Sequence, residues 1–336
     1  MNNTVKKTIT ILLSIVITSI LLWVLLAKTS LQDIVEALTT ISLTDIILML
    51  ILYIIVQYLR SIRTWILIQK SLPIRQVFSI TCTHVALTNI MPARTGEIGY
   101  VYLLKKTGVI NTGTGIGTLA IARIFDSIAI ALLFFGATII TPTLPTIAQQ
   151  IKIPTLIAIS IIIAILIISV FSTNTLLLLL QKITRILSIE NKKIIQWIIK
   201  RISETLQSIQ ILNSKKNIAY ILFSSIGIWI SLFLINFIIF KNISPIPITL
   251  AILASSITAI LSGIPIQGIA GLGTTEAYWT IALVGVGVGT TTAIIAGFSQ
   301  HIIGVVYSTI FGIYGILTLQ KQKKIEQEKV KQHGNN

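Results

Sequence analysis

Four ionisable side chains stand inside or beside long apolar runs: Glu97, Arg123, Asp126 and Glu276. An ionised group at mid-membrane depth costs about 2.5–3.5 kcal/mol on insertion scales, so it faces a cavity or a partner. In "ARIFDSIAI", Arg123 and Asp126 fall at i and i+3 and share a helix face. They can neutralise each other as a local ion pair. Alternatively, Asp126 orients Arg123 toward a lipid phosphate, which a guanidinium fork grips with two hydrogen bonds. The two glutamates each follow a backbone break. "NIMPARTGEIG" sets Asn89, Pro92, Arg94 and Gly96 before Glu97, and "GIPIQGIAGLGTTEA" sets Pro265, Gly271 and Gly273 before Glu276. Proline removes an N–H and disfavours helix before it, and Gly96 permits a tight turn. The backbone groups freed by such breaks are tolerable at membrane depth only against protein or a wet cavity. Each segment therefore reads as a hairpin tip lining a polar cavity. Its acid sits at the positive N-terminal end of the returning limb. No lysine follows the second glycine run as a phosphate-binding P-loop needs.

The elements that hold these groups are apolar. Of 336 residues, 54% are hydrophobic and 11% charged, with mean hydropathy +0.92. A soluble domain carries about 25% charged residues, so that class is excluded. The chain reads as an all-α polytopic membrane protein. Runs 8–27, 44–60, 116–140, 154–173, 218–240 and 293–318 give about six full crossings. Two further stretches, 76–91 and 249–266 with 275–289, are short or broken and give two re-entrant hairpins. The run from Ile9 to Ala27 is too long for the 7–15-residue core of a signal peptide and is expected to be a retained helix. Cys82 is the single cysteine, so no intrachain disulfide forms. The three histidines join no Cys/His cluster, and no metal or cofactor is expected.

The net charge of +16 would point to nucleic acid in a soluble protein. In a membrane protein it marks cytoplasmic loops, and no nucleic-acid partner is expected. With the N-terminus cytoplasmic and 76–112 dipping in and returning, 22 of the 26 basic residues lie inside. These include Arg60, Arg63, Lys70 and Arg75, the segment 174–217 and the C-terminal tail. Both termini are then cytoplasmic and the location is the cell membrane. The same threading gives two units of opposite orientation, about 44–140 and 218–318. From the first crossing to the acid is 37 residues in one (Arg60 to Glu97) and 36 in the other (Phe240 to Glu276). From the acid to the polar residues of the closing helix is 26 (Glu97 to Arg123) and 24 (Glu276 to Gln300). Such an inverted repeat with paired Gly/Pro breaks points to a transporter's substrate site. The whole is one transmembrane domain, 1–320, with a basic tail, 321–336. Within 174–217, residues 191–212 put six apolar side chains from Ile195 to Ile209 on one helix face. This reads as an amphipathic helix on an anionic leaflet or, alternatively, one packed on another loop.

The motifs "NIMPARTGEIG", "ARIFDSIAI" and "GIAGLGTTEA", in this order, resemble the signatures of the lysylphosphatidylglycerol synthase transmembrane-region family of flippase-like integral membrane proteins. That family includes the lipid-translocating domain of multiple peptide resistance factors and archaeal proteins tied to dolichol-phosphate-linked glycosylation. The match carries over Asn89, Pro92, Arg94, Gly96, Glu97, Arg123, Asp126, Gly271, Gly273 and Glu276. Two departures stand in the second hairpin. Ile269-Ala270-Gly271 replaces the family's usual Pro-Gly-Gly, and Thr275 stands where a basic residue is common. No soluble aminoacyl-transfer domain follows residue 320, so lysyl-lipid synthesis is not expected. The resemblance implies a flippase for a phospholipid or polyprenyl-phosphate-linked lipid. In it Arg94 and Arg123 hold phosphate, and Glu97 and Glu276 take a cationic head group or a proton. The alternatives are a membrane enzyme or accessory factor acting on polyprenyl-phosphate sugars, with a carboxylate as general base, and a structural subunit of a larger complex.

Overall fold

The computed structural model describes residues 15–16, 18–91, 95–171, 182, 193–263 and 267–333. Among them every regular element is helical. In chain order the helices are α1 (Thr18–Leu26), α2 (Leu31–Thr39), α3 (Leu43–Leu67), α4 (Ile74–Ile90), α5 (Gly96–Lys106) and α6 (Thr112–Ile140). There follow α7 (Thr146–Phe171), α8 (Lys193–Ile209), α9 (Lys215–Ile243), α10 (Ile248–Leu261), α11 (Thr274–Gly285) and α12 (Thr290–His333). Pro92, Arg94 and Pro265 lie outside the described residues, as do most of 1–17 and of 172–192.

Helices α3, α6, α9 and the Thr290–Lys323 part of α12 are long and apolar enough to cross a membrane. The pair α1–α2, bent by 77°, makes a fifth if it is one span. Six were expected; the run 154–173 falls on the 26-residue α7, which contains Pro154. The ends are set locally. Ser42, Asn111 and Ser214 accept from the N–H groups of Asp45, Thr114 and Asn217, capping α3, α6 and α9. Pro73 and Pro247, both extended, open the first limbs of the two broken hairpins, α4–α5 and α10–α11.

The packing of these limbs is reciprocal. Helix α3 lies along α9. The first limb of each hairpin lies on the closing helix of the other half: α4 on α12 and α10 on α6. The second limbs lie on their own closing helices, α5 on α6 and α11 on α12. The α4–α12 seam is made of small residues. A Cβ at Gly312 would lie 2.3 Å from Ala86 Cβ, and one at Gly315 2.5 Å from Thr83 Oγ1. Close backbone approach of this kind is how helices pack in lipid, where the hydrophobic effect between them is lost. The core joins both halves through Met49 and Tyr53 of α3, Phe134 of α6, Phe240 of α9, Leu253 of α10 and Trp279 of α11. Ile47, Ile51 and Ile54 on α3 and Ile313 and Leu317 on α12 are exposed, as lipid-facing positions are.

Three details go beyond the sequence reading. Helix α3 runs to Leu67, so Arg60 and Arg63 sit within it and not in the following loop. Helix α12 continues to His333 without a break at 321. On α8, Leu206 and Ile209 are buried against Ile121 and Ile221, so that end of its apolar face meets protein and not lipid. Glu204 of α8 also accepts from the Gly113 N–H at 3.0 Å, fastening the helix to the start of α6.

Candidate functional site

The two hairpin tips and α6, α9 and α12 line a half-open cavity of about 550 Å³. Asn89, Glu97, Arg123 and Asp126, four of the residues singled out in the sequence, line it together. Glu97 stands in the first turn of α5. It reaches α6 because Gly96 has no side chain: a Cβ there would lie 2.3 Å from the Thr88 backbone nitrogen of α4. Gly96 thus serves close crossing of the two limbs and not a left-handed turn. Arg123 Nη2 donates to Glu97 Oε1 at 2.7 Å, with the arginine side chain 44% and the glutamate 27% exposed.

Asp126 is engaged elsewhere. Its main partner is Arg63 of α3, whose Nη1 and Nη2 lie 2.5 and 3.3 Å from Oδ1 and Oδ2. Trp229 Nε1 of α9 also donates to Oδ1, at 3.0 Å, and Arg63 donates to Ser225 Oγ of α9 at 2.7 Å. Arg123 Nη1 stays 3.8 Å from Asp126 Oδ2. The expected i,i+3 pair is therefore a minor contact. Asp126 ties three helices together, and Arg123 is left at the cavity wall with Glu97.

In the sequence the apolar run of the first span stops at Arg60, so Arg63 reads as a loop charge. Its signal was available: Ile62, Trp65, Ile66 and Leu67 continue the helical pattern past it. The far wall is legible only in part. Asn236 of α9 donates to Ser255 of α10 at 3.2 Å and accepts from Gln300 of α12 at 3.4 Å. Gln300 is marked by its spacing from Glu276, but Asn236 and Ser255 stand singly in apolar runs and carry no such signal.

The second tip folds on itself. Thr274 Oγ1 accepts from the Gly268 N–H at 3.2 Å and donates to the Gly271 carbonyl at 2.9 Å, and Thr18 Oγ1 of α1 accepts from the Ile269 N–H at 3.0 Å. Ala270, Gly271 and Gly273 all take positive φ, 53°, 76° and 78°. Thr274 and Thr275 of α11 line the cavity, but Glu276 does not. Its side chain is 1% exposed and its Oε1 lies 2.7 Å from Nδ1 of His301 on α12. Nε2 of the same ring lies 2.9 Å from the Ala270 carbonyl oxygen. The sequence spacing marks Gln300, and the neighbouring His301 carries no signal of its own there.

The two halves thus repeat one device. In each, the acid in the first turn of the returning limb meets a base on the closing helix at 2.7 Å, Glu97 with Arg123 and Glu276 with His301. The first pair faces the cavity and the second is sealed. The sequence model of the "Lysylphosphatidylglycerol synthase TM region" matches residues 11–312. No curated protein and no solved structure matches the chain.

Proposed function

The chain belongs to the lysylphosphatidylglycerol synthase TM-region family of membrane proteins, and on that premise we propose that it moves a phosphate-bearing membrane lipid between leaflets. The observation that carries this reading is Arg123 at the wall of the cavity between the two broken hairpins, half-exposed and held by Glu97. Arg63 is consumed by Asp126 and Ser225, whereas Arg123 can exchange the Glu97 carboxylate for a lipid phosphate of similar geometry. The cavity volume lies within the range of small-molecule sites and suits a head group. Arg94, outside the described residues, stays a candidate second phosphate ligand.

The reciprocal packing of the hairpins supports an inverted repeat, 44–140 against 218–318, in which rocking one half on the other alternates access. The substrate is an anionic phospholipid or a polyprenyl-phosphate-linked lipid. The site is the cell membrane, and the excess of basic residues in 174–217 and in the tail supports cytoplasmic termini. Glu97, Asp126 and Glu276 each face a base, which favours binding over general-base chemistry, where a carboxylate must reach an acceptor hydroxyl.

The test is leaflet exchange of labelled phosphatidylglycerol and polyprenyl-phosphate lipids in proteoliposomes, scored also for covalent change. Arg123→Leu should leave melting nearly unchanged, because Asp126 keeps Arg63. It should cut exchange about tenfold or more, the equivalent of about 1.4 kcal/mol in the rate. Unchanged exchange in that variant removes Arg123 from the site, and covalent turnover without exchange overturns transport.

A further inference from the structure

The Glu276–His301 pair invites a question that the lipid site does not answer: where its protons are. The Ala270 carbonyl can only accept, so the nitrogen 2.9 Å from it, Nε2, carries a hydrogen. That leaves Nδ1 facing Glu276 Oε1 at 2.7 Å, a distance that requires a hydrogen between them. Either the ring is doubly protonated against a carboxylate, or a neutral ring accepts from a protonated carboxyl. In both descriptions the pair holds one more proton than a carboxylate beside a neutral imidazole would. If that proton leaves, one of two contacts must fail. With Nε2–H kept, a bare Nδ1 faces a carboxylate oxygen. With the other tautomer, a bare Nε2 faces the carbonyl. A lone negative charge would also remain on a residue with 0% exposure. Glu276 Oε2, buried and without a hydrogen-bond partner among the described residues, is easier to leave unpaired as the carbonyl oxygen of a neutral acid than as part of a carboxylate.

The surroundings do not offer a substitute charge. Helices α1 and α10 bring no ionisable side chain to α11 and α12. Helix α7 brings Lys152; α4 brings Arg75, Cys82 and His84; α2 brings Asp33 and Glu36; α9 brings Tyr220 and the lysines at its ends; α11 itself carries Tyr278. Among the described residues, no lysine, arginine, aspartate or glutamate of these helices forms an ion pair with Glu276 or His301.

We propose that Glu276 and His301 form a binding site for one coupling proton, occluded in this state, whose release frees the second hairpin tip and drives the site to open on the opposite side. Two features of the geometry connect proton to movement. His301 holds the tip through the carbonyl of Ala270, and the same tip presents Thr274 and Thr275 to the lipid cavity. The equivalent pair of the first half, Glu97–Arg123, is open where this one is closed. In an inverted repeat the two halves exchange conformations as access alternates. An arginine in the first half cannot release a proton, whereas a histidine in the second can, so only the second pair is suited to a coupling ion. The coupling role rests on the translocase reading above, and the proton site itself does not.

The test joins a direct and a functional measurement. Magnetic resonance of isotope-labelled imidazole nitrogens in the reconstituted protein gives three histidine signals, with residue 301 assigned by its loss in His301→Gln. Expected is a hydrogen on Nε2 at low pH, with an Nδ1 signal that changes in one step as pH rises, the step absent in Glu276→Gln. A ring with hydrogen on Nδ1 and a bare Nε2 at every pH overturns the proposal. In proteoliposomes carrying labelled phosphatidylglycerol, an imposed proton gradient should change the exchange rate by about threefold or more, and Glu276→Gln should abolish the change while keeping the protein folded. Robust exchange indifferent to the gradient overturns the coupling and spares the translocase. A titrating pair in a protein that exchanges none of the lipids tested upholds the proton site and counts against the translocase reading.

Discussion

Arg63 and Asp126 are separated by 63 residues and joined by 2.5 Å, at the crossing of α3, α6 and α9. Removing one partner of a buried ion pair strands the other, at about 3–5 kcal/mol, whereas replacing both with apolar groups is often neutral. Asp126→Asn should therefore lower thermal stability in detergent by that order, and Arg63→Met combined with Asp126→Leu should recover most of it. A single variant as stable as the parent would mean that the pair has no structural role. Ala270 offers the converse case. With φ at 53° it occupies a conformation that costs an L-residue about 1 kcal/mol or more and glycine little. His301 bonds its carbonyl, not its side chain, so Ala270→Gly keeps that contact. This substitution should raise the melting temperature, and Ala270→Val, with a branched Cβ, should lower it. The resembling family's usual glycine near this position is what the backbone asks for.

At the scale of elements, both hairpins were legible because proline, glycine and an acid interrupt apolar runs that nothing else interrupts. The helix ends were less legible, for reasons that differ by site. Helix α3 outlasts its first apolar run through Ile62, Trp65, Ile66 and Leu67, but that Arg63 finds Asp126 is invisible in local sequence. Helix α12 outlasts its own because the lysine- and glutamate-rich stretch after Gln320 favours helix without being apolar. The apolar stripe of α8 was plain, but a stripe does not say whether protein or lipid covers it. Four cavity-lining residues were found through charge and breaks, while Trp229, Asn236 and Ser255 were not, since uncharged groups carry no conspicuous membrane cost. The α4–α12 seam makes a prediction of its own. A methyl added at Gly312 would press on Ala86, so Gly312→Ala should destabilise by about 1–3 kcal/mol, the usual cost of overpacking. Ala86→Gly in the same chain makes room at that contact and should restore much of the loss. Melting of Gly312→Ala at the parent's temperature would show that the seam has slack.

At the scale of the molecule, the reciprocal packing of the hairpins fits a chain that enters each half from opposite sides, and the position of Lys241 bears on this. Its Nζ lies 2.8 Å from Asp45 Oδ1, and Asn242 Nδ2 lies 3.1 Å from Asp45 Oδ2. The beginning of α3 and the end of α9 therefore share one end of the structure, as the threading requires of 44 and 241. Half of the 26 basic residues fall in 174–217 and beyond residue 318, the excess on which the proposed cytoplasmic placement of those segments rests. The natural Cys82 is buried, so single cysteines can be introduced without replacing it. Placed at Lys152 or Lys241, both exposed, a cysteine should react with an impermeant thiol reagent in intact cells. Placed at Lys200 or Lys321, also exposed, it should react only after the membrane is opened. Reaction of the Lys200 and Lys321 positions from outside, with the other two silent, would invert the whole threading and leave the two-unit symmetry standing. Reaction of Lys152 together with Lys200 would place both ends of the 152–200 stretch on one face. That outcome would take away the crossing between them, and the opposed orientation of the two halves would go with it.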